Sequence, residues 1–258
     1  MATECTSGGL LFQGVGRREI RADFNGGDIT SDAGVLLLQE VEQRCAIIEQ
    51  FAHCFEDHRD ARRVEHGVRE LVAQRIFAIA LGYEDLNDHD DLRFDPLLAT
   101  AVGSGDPKGS RRRRDRDRGA GLAGKSTLNR IELSRPEEAV ADRYRRIVLH
   151  EELADQVLLD LFVQAHPKAP KQIILDLDAT DDPVHGEQEG RFFHGFYGCY
   201  CYLPLYIFCG DHLLCARLRE ADIDASAGSV DELERIVEHL RKAWPKVRIL
   251  VRADSGFC

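Results

Sequence analysis

The sequence has no run of about 18 apolar residues, the length that a membrane-crossing helix needs. Its first stretch, MATECTSGGLLFQGVGRREIRADF, has neither a basic start nor a long apolar centre. No membrane span and no secretory signal are expected, so the eight cysteines are expected as reduced thiols. Positive charge is also in deficit: Lys and Arg total 34 against 45 Asp and Glu, a formal net charge of −11. That balance argues against a simple basic nucleic-acid binder whose affinity comes from overall charge. What the chain does have is ordinary globular material. With 258 residues, 43% hydrophobic and 31% charged, it is neither disordered nor fibrous and suffices for one large domain or two smaller ones.

Several local patterns are defined by a missing residue. Cys199, Cys201, Cys209 and Cys215 invite a zinc reading, but a CxC followed by wide spacings is not a zinc ribbon, and buried small hydrophobes fit the apolar context better. EDLNDHDDLRFDP (84–96) is acidic enough for a calcium loop but lacks the glycine at its sixth position, so a solvated turn is expected. The segment 103–121 lacks apolar residues in GSGDPKGSRRRRDRDRG. It carries Arg111, Arg112, Arg113, Arg114, Arg116 and Arg118 against Asp115 and Asp117. A mobile loop or linker is expected there, either a solvated hinge or a cationic arm for phosphate backbones. Gly119–Ser126 spells the phosphate-binding pattern GxxxxGK[ST], yet no buried strand feeds it, so an NTPase reading with Lys125 at its centre is set aside.

Periodicity supplies the positive picture. Residues 29–103 are predicted helical, with Ser31 and Asp32 as caps before Leu36, Leu37, Val41, Cys45 and Ile48. A second helix has Val68, Leu71, Val72, Ile76, Ile79 and Ala80 on one face and Gly82 after it. Residues 137–165 are predicted helical again, with Tyr144, Ile147, Val148, Val157, Leu158, Leu161 and Phe162 inward. From Lys171 the pattern changes. KQIILDLDAT is a buried strand ending in carboxylates; YGCYCYLPLYIF and HLLCARL are two more strands with Gly210-Asp211 between them as a hairpin turn. A helix from Ser229 to Trp244 is expected to open with a Ser229–Glu232 capping box and to bury Val230, Leu233, Ile236, Val237 and Leu240. RILVRADSGF is the last strand. The expected class is α/β: helical region 1–103, Arg/Gly-rich loop or linker 104–124, helical segment 125–170, and a β-β-β-α-β unit over 171–258.

Asp176 and Asp178 are two apart on one strand and so share a face, and Asp254 ends another strand. Carboxylates converging from neighbouring strands call for a cation between them, and hard oxygen ligands suit Mg2+ or Mn2+. The competing reading is structural, with these acids pairing to Arg217, Arg219 or Arg252.

The β-β-β-α-β order with these two acid-tipped strands resembles the ribonuclease-H-like fold. LDLDATDDPVHGEQEG, the strand FFHGFYGCYCYLPLYIF, RADSGF, and upstream GYEDLNDHDDLRFDP and LAGKSTLNRIE resemble the DDE transposase domain of insertion sequences, group 1, from about residue 12 onward. The resemblance implies a first catalytic, metal-binding carboxylate at Asp178, beside Thr180, and a second at Asp254 in Asp-x-Gly-Phe. Asp176 is implied as a supporting metal position rather than a primary ligand, and Asp181, Asp182, His185 and Glu187 as a rim or a purely structural turn. It further implies Mg2+ or Mn2+, terminal inverted repeats and target DNA as partners, a homo-oligomer in a synaptic complex, and a cytoplasmic, nucleoid-associated protein. The helical region and arginine loop would position DNA. A third carboxylate, a glutamate on a later helix, belongs to the family's pattern and has no counterpart after Asp254. The expectation is thus an incomplete domain in a C-terminally truncated chain, inactive alone. Two other readings remain: a non-catalytic remnant that binds DNA or a transposase, and a stand-alone metal-dependent nuclease using Asp176, Asp178 and Asp254.

Overall fold

The computed structural model describes residues 10–22, 30, 32–132 and 146–257. The chain divides into two compact units, Met1–Glu151 and Glu152–Cys258.

The first unit opens with an antiparallel hairpin, β1 (Leu10–Val15) and β2 (Arg18–Ala22). There follow α1 (Val35–Cys45), α2 (Ile47–Ala52), β3 (Phe55–Asp57), α3 (Val68–Ala80), α4 (His89–Leu92), α5 (Pro96–Val102), α6 (Lys125–Glu132) and β4 (Ile147–Leu149). Strands β3 and β4 pair antiparallel. The core gathers Val35, Ile48, Val72, Phe77, Leu98 and Val102, with a second cluster around Leu71, Leu128 and Ile147.

Polar side chains set the helix ends here. Glu42 is buried and its carboxylate accepts from the amides of Ile48 (2.7 Å) and Glu49 (3.2 Å). It thereby caps α2 across a break at Ala46, whose φ is 52°. Asp95 accepts from the amides of Leu97 and Leu98, with Pro96 in the first turn of α5 and Gly103 left-handed at its end. The acidic stretch 84–96 is therefore a set of caps rather than a plain solvated turn. Asp85 caps the short 3-10 turn Leu86–Asp88 and Asp95 caps α5.

Four expectations change in this unit. Ser31 lies outside the described residues, and Asp32, instead of capping α1, accepts a hydrogen bond from Tyr83 Oη at 3.0 Å. On α1 Val35 and Leu36 are buried, while Leu37 and Val41 are exposed. On α3 the buried arc is Leu71, Val72, Ala73, Gln74, Phe77 and Ala78, with Ile79 and Ala80 outside it. Leu71 serves one cluster and Val72 the other, so two packed faces replace the single stripe. Ile147 and Val148 form β4 rather than helix, because this β-branched pair is buried against β3; Tyr144 lies outside the described residues.

The segment 104–124 is built into the first unit. Gly109 (φ +58°) and Gly121 stand so close to other backbone that a Cβ would lie 2.4 Å from Ala120 O and 2.1 Å from Pro107 O respectively. Ala120, Leu122 and Ala123 are buried. Buried Gln74 of α3 holds the segment's end through both backbone groups of Ala123, at 2.8 and 3.0 Å.

In the second unit α7 (Glu151–Gln164) is followed by β5 (Gln172–Ala179), β6 (Asp182–Pro183), β7 (Phe192–His194), β8 (Cys199–Tyr202), β9 (Leu205–Cys209), β10 (His212–Arg217), α8 (Ser229–Ala243) and β11 (Arg248–Ala253). The main sheet runs β10-β9-β5-β11, with β11 parallel to β5 and the other pairs antiparallel. That order and sense are those of the β-β-β-α-β ribonuclease-H-like arrangement, and the class is α/β. The expected strand YGCYCYLPLYIF is broken at Leu203-Pro204, where proline removes a ladder donor. Its first half, β8, joins a small sheet β6-β8-β7. Gly210 and Asp211 make the two-residue hairpin between β9 and β10.

The core packs Leu159 and Phe162 of α7 and Ile236 and Leu240 of α8 on Ile173, Leu175, Leu205, Ile207 and Leu214. Val230 is exposed, and the Ser229–Glu232 capping box does not form: Gly228 is the N-cap in a left-handed conformation. Arg217 and Arg235 take the Glu232 carboxylate instead, at 2.6 and 2.8 Å. The thiols are divided between the two sheets, with Cys201 and Cys215 fully buried; burial pushes the Cys215 thiol up to about 12. Among the described residues no helix is long and apolar enough to cross a membrane.

Candidate active site

Strand β5 separates its two faces by simple alternation. Ile173, Leu175, Leu177 and Ala179 are buried in the core, while Asp176 and Asp178 project from the opposite face. Its parallel neighbour β11 is in register so that Arg252 stands beside Asp176 and Ala253 beside Leu177. The next positions along the two strands are Asp178 and Asp254.

These two same-face positions are electrostatically opposite. Arg252 grips the Asp176 carboxylate as a fork, through Nε and through Nη2 at 2.8 Å. The hydrogen bonds from Arg252 hold the Asp176 carboxyl below the usual carboxylate range. Asp178 and Asp254 have no cationic side chain in ion-pair contact among the described residues. Asp254 Oδ1 accepts from the Gly256 amide at 2.8 Å, within the 3-10 turn Ser255–Phe257, and Phe257 packs against the buried clusters of the sheet. The Asp-x-Gly-Phe sequence thus has a local reason. A Cβ at Gly256 would press to 3.0 Å from Asp254 Oδ1, and Phe257 anchors the turn that presents the acid.

Beyond β5 the chain enters the small sheet. Asp181 is half-buried with the Cys199 thiol 3.9 Å from its Oδ2, and Asp182, His185 and Glu187 are exposed. Tyr197, which sequence reasoning passed over, donates its hydroxyl to Ala179 O at 3.3 Å. Its phenol is pushed up by burial, then by the charges of Asp181, Asp178 and Asp254. Only its place in an aromatic run two residues before the CxC hinted at it.

The structural reading of the arginines accounts for three of them. Arg252 is spent on Asp176. Arg217 bridges Asp155 of α7 and Glu232 of α8. Arg219 straps backbone carbonyls of Leu203, Ala225 and Ala227. None of them answers Asp178 or Asp254. Exposed carboxylates at the ends of adjacent strands, with no ion-pair cation among the described residues, fit a hard divalent ion, although no group of three metal-ligating side chains occurs among those residues.

The chain matches the family model described as transposase DDE domain group 1 over residues 12–258. The chain belongs to this DDE transposase family. Searches of curated proteins and of solved structures find no match.

In this DDE-family chain the arginine segment is held largely by its own unit. Arg111 donates to Gly105 O at 2.9 Å, Arg112 to Ala120 O at 2.6 Å and Arg113 to Arg62 O at 2.7 Å. Arg116 and Arg118 pair with Asp117 and Asp115, and Arg114 is exposed. The phosphate-loop pattern is likewise answered from within. Lys125 Nζ reaches Asn87 at 2.9 Å and Asp90 at 3.3 Å, and Asp90 also accepts from the Lys125 amide at the start of α6. A carboxylate already occupies the place where a phosphate would sit.

Proposed function

We propose that the protein is a DDE-type transposase acting in DNA transposition, with Asp178 and Asp254 as catalytic, metal-holding carboxylates. The observation that carries this reading is the unneutralised acid pair at the ends of adjacent parallel strands, two residues beyond an ion pair that is complete. Asp178 and Asp254 would hold Mg2+ or Mn2+. Such ions supply an activated water or hydroxyl nucleophile and charge stabilisation at phosphorus during strand cleavage and transfer. Backbone hydrogen bonding at Gly256 fixes the orientation of Asp254, and the fork of Arg252 keeps Asp176 as a support of the strand end rather than a ligand. The DNA partners in this reading are the element's terminal repeats and target DNA, bound by a homo-oligomer, and arginines of the helical unit position them.

The test begins with metal. Titration calorimetry with Mn2+ should show binding to the wild-type chain and its loss in Asp178→Asn and Asp254→Asn, with circular dichroism unchanged. Equal Mn2+ binding by the wild type and both variants would sink the reading.

A further inference from the structure

The first unit holds an open cavity of about 940 Å³ among its described residues. Small-molecule pockets run to roughly 1,000 Å³ and are mostly apolar. This one is large and lined by charge. Nine of its described lining residues are arginines, against four acids. Five lie outside the arginine-rich segment: Arg59 and Arg63 after β3, Arg93 after α4, Arg130 on α6 and Arg146 before β4. The segment supplies the other four, and Arg111 and Arg118 are not among them.

Two of the four acids are drawn toward cations outside the lining. Asp60 pairs with Arg62 at 3.1 Å as well as with Arg63 of the lining at 3.7 Å, and Asp90 pairs with Lys125 at 3.3 Å, while Arg59 of the lining pairs with Asp57 outside it at 2.7 Å. Nine arginines against four acids still leave an excess of positive charge at the recess. Arg93 and Arg112 are each fixed by one hydrogen bond, to Asp117 and to Ala120 O, while another buried donor on each has no partner. Guanidiniums gathered in this way repel one another unless an anion with several oxygens lies among them. A recess cannot enter a DNA groove to read base edges, but it can receive a backbone.

We propose that this arginine-lined recess is a clamp for the DNA phosphodiester backbone. It rests on the transposase reading above and adds the place and mode of binding: phosphate gripping by residues from five separate segments, giving affinity without sequence choice. Arg63, Arg114 and Arg146 are exposed and grip the phosphates; Arg93 and Arg112 are half-buried and each held by a hydrogen bond.

The experiment measures duplex DNA affinity of the full chain against salt, for the wild type and for Arg63→Gln/Arg114→Gln/Arg146→Gln. The triple variant should bind roughly tenfold or more weakly, with a salt slope smaller by about one for each phosphate that is no longer neutralised. Arg44→Gln, an exposed change on α1 away from the recess, should match the wild type. Millimolar inorganic phosphate should fail to displace DNA. A triple variant with wild-type affinity and slope overturns the proposal, as does displacement by free phosphate, which would make the recess a small-anion site. Mn2+ binding by Asp178 and Asp254 is measured separately, so failure of the clamp and failure of the transposase reading give different results.

Discussion

The two units collect charge of opposite sign in different ways. The sheet unit ends adjacent strands in Asp178 and Asp254 with no ion-pair cation among the described residues, whereas the helical unit sets nine arginines around one recess with only four acids, some of the nine already paired. Each unit also contains charges that are fully answered. Arg217 sits between Asp155 and Glu232, Arg252 on Asp176, and Arg75 on Glu132 at 2.6 Å. The contrast teaches that a chain-wide charge of −11 says little about binding. Answered charges hold elements together; unanswered ones of a single sign mark where something from outside belongs.

The largest effect should come from the acid pair. Removing even an outer hydrogen-bond partner of a metal ligand costs about 10–100-fold in affinity. Asp178→Asn or Asp254→Asn should therefore weaken Mn2+ binding by roughly a hundredfold or more, read by calorimetry, with thermal stability unchanged. A large loss of stability instead would move the pair into the answered class.

Arg217 tests the opposite class. Asp155 and Glu232 are largely buried, so Arg217→Met leaves Asp155 without this cation and Glu232 with Arg235 alone, and should cost about 3 kcal/mol in urea unfolding. Burial pushes the Glu232 carboxyl up, but hydrogen bonds from Arg217 and Arg235 outweigh it and hold the group below its ordinary value. A carboxyl depressed in the folded state contributes stability that is fully present above its unfolded pKa. That contribution is lost as pH falls through the folded value. Wild-type stability should therefore fall on acidification below about pH 4.5, the ordinary Glu value, and Arg217→Met should flatten that limb. A parallel pH profile for the two proteins would refute the assignment.

Strands β5 and β11, helix α8 and the Gly210-Asp211 turn were legible because each carries its signal locally. Alternation, a 3.6-residue stripe and a two-residue glycine turn need no knowledge of partners. Asp178 and Asp254 were legible for the same reason, as acids ending apolar runs. The remainder depended on distant residues. Strand β4 exists because Ile147 and Val148 meet β3 some 90 residues earlier in the sequence. Glu232 leaves its capping box because Arg217 reaches it from β10. The four-residue arginine run suggested a tethered arm, while its neighbours Arg59, Arg93, Arg130 and Arg146 are scattered singly and carry no local pattern.

Replacing Arg252 should have a smaller effect and sharpen the comparison within one pair of strands. Arg252 is 71% exposed, so Arg252→Gln should leave the melting temperature almost unmoved. Without the arginine the Asp176 carboxyl returns toward its ordinary range and adds a third unanswered acid beside the pair. Mn2+ affinity should rise by roughly two- to fivefold, the scale of a solvent-screened charge interaction. A fall in affinity would mean that Arg252 positions the site rather than merely neutralising Asp176.

The smallest effect belongs to Lys125, whose surroundings show how an answered charge can imitate a binding motif. The letters of Gly119–Ser126 match a phosphate loop, but the Lys125 ammonium already meets Asp90 and Asn87, and the Asp90 carboxylate takes the amide that would face a phosphate. No strand leads into the loop, and Gly121 is packed against Pro107 rather than opened toward solvent. Both members of the Lys125–Asp90 pair are about half exposed, so Lys125→Ala should cost less than about 1 kcal/mol. Titrating ATP with Mg2+ should give no thermal shift in either protein. A shift present in the wild type and absent from Lys125→Ala would place this lysine with the recess arginines, among the charges that await a phosphate.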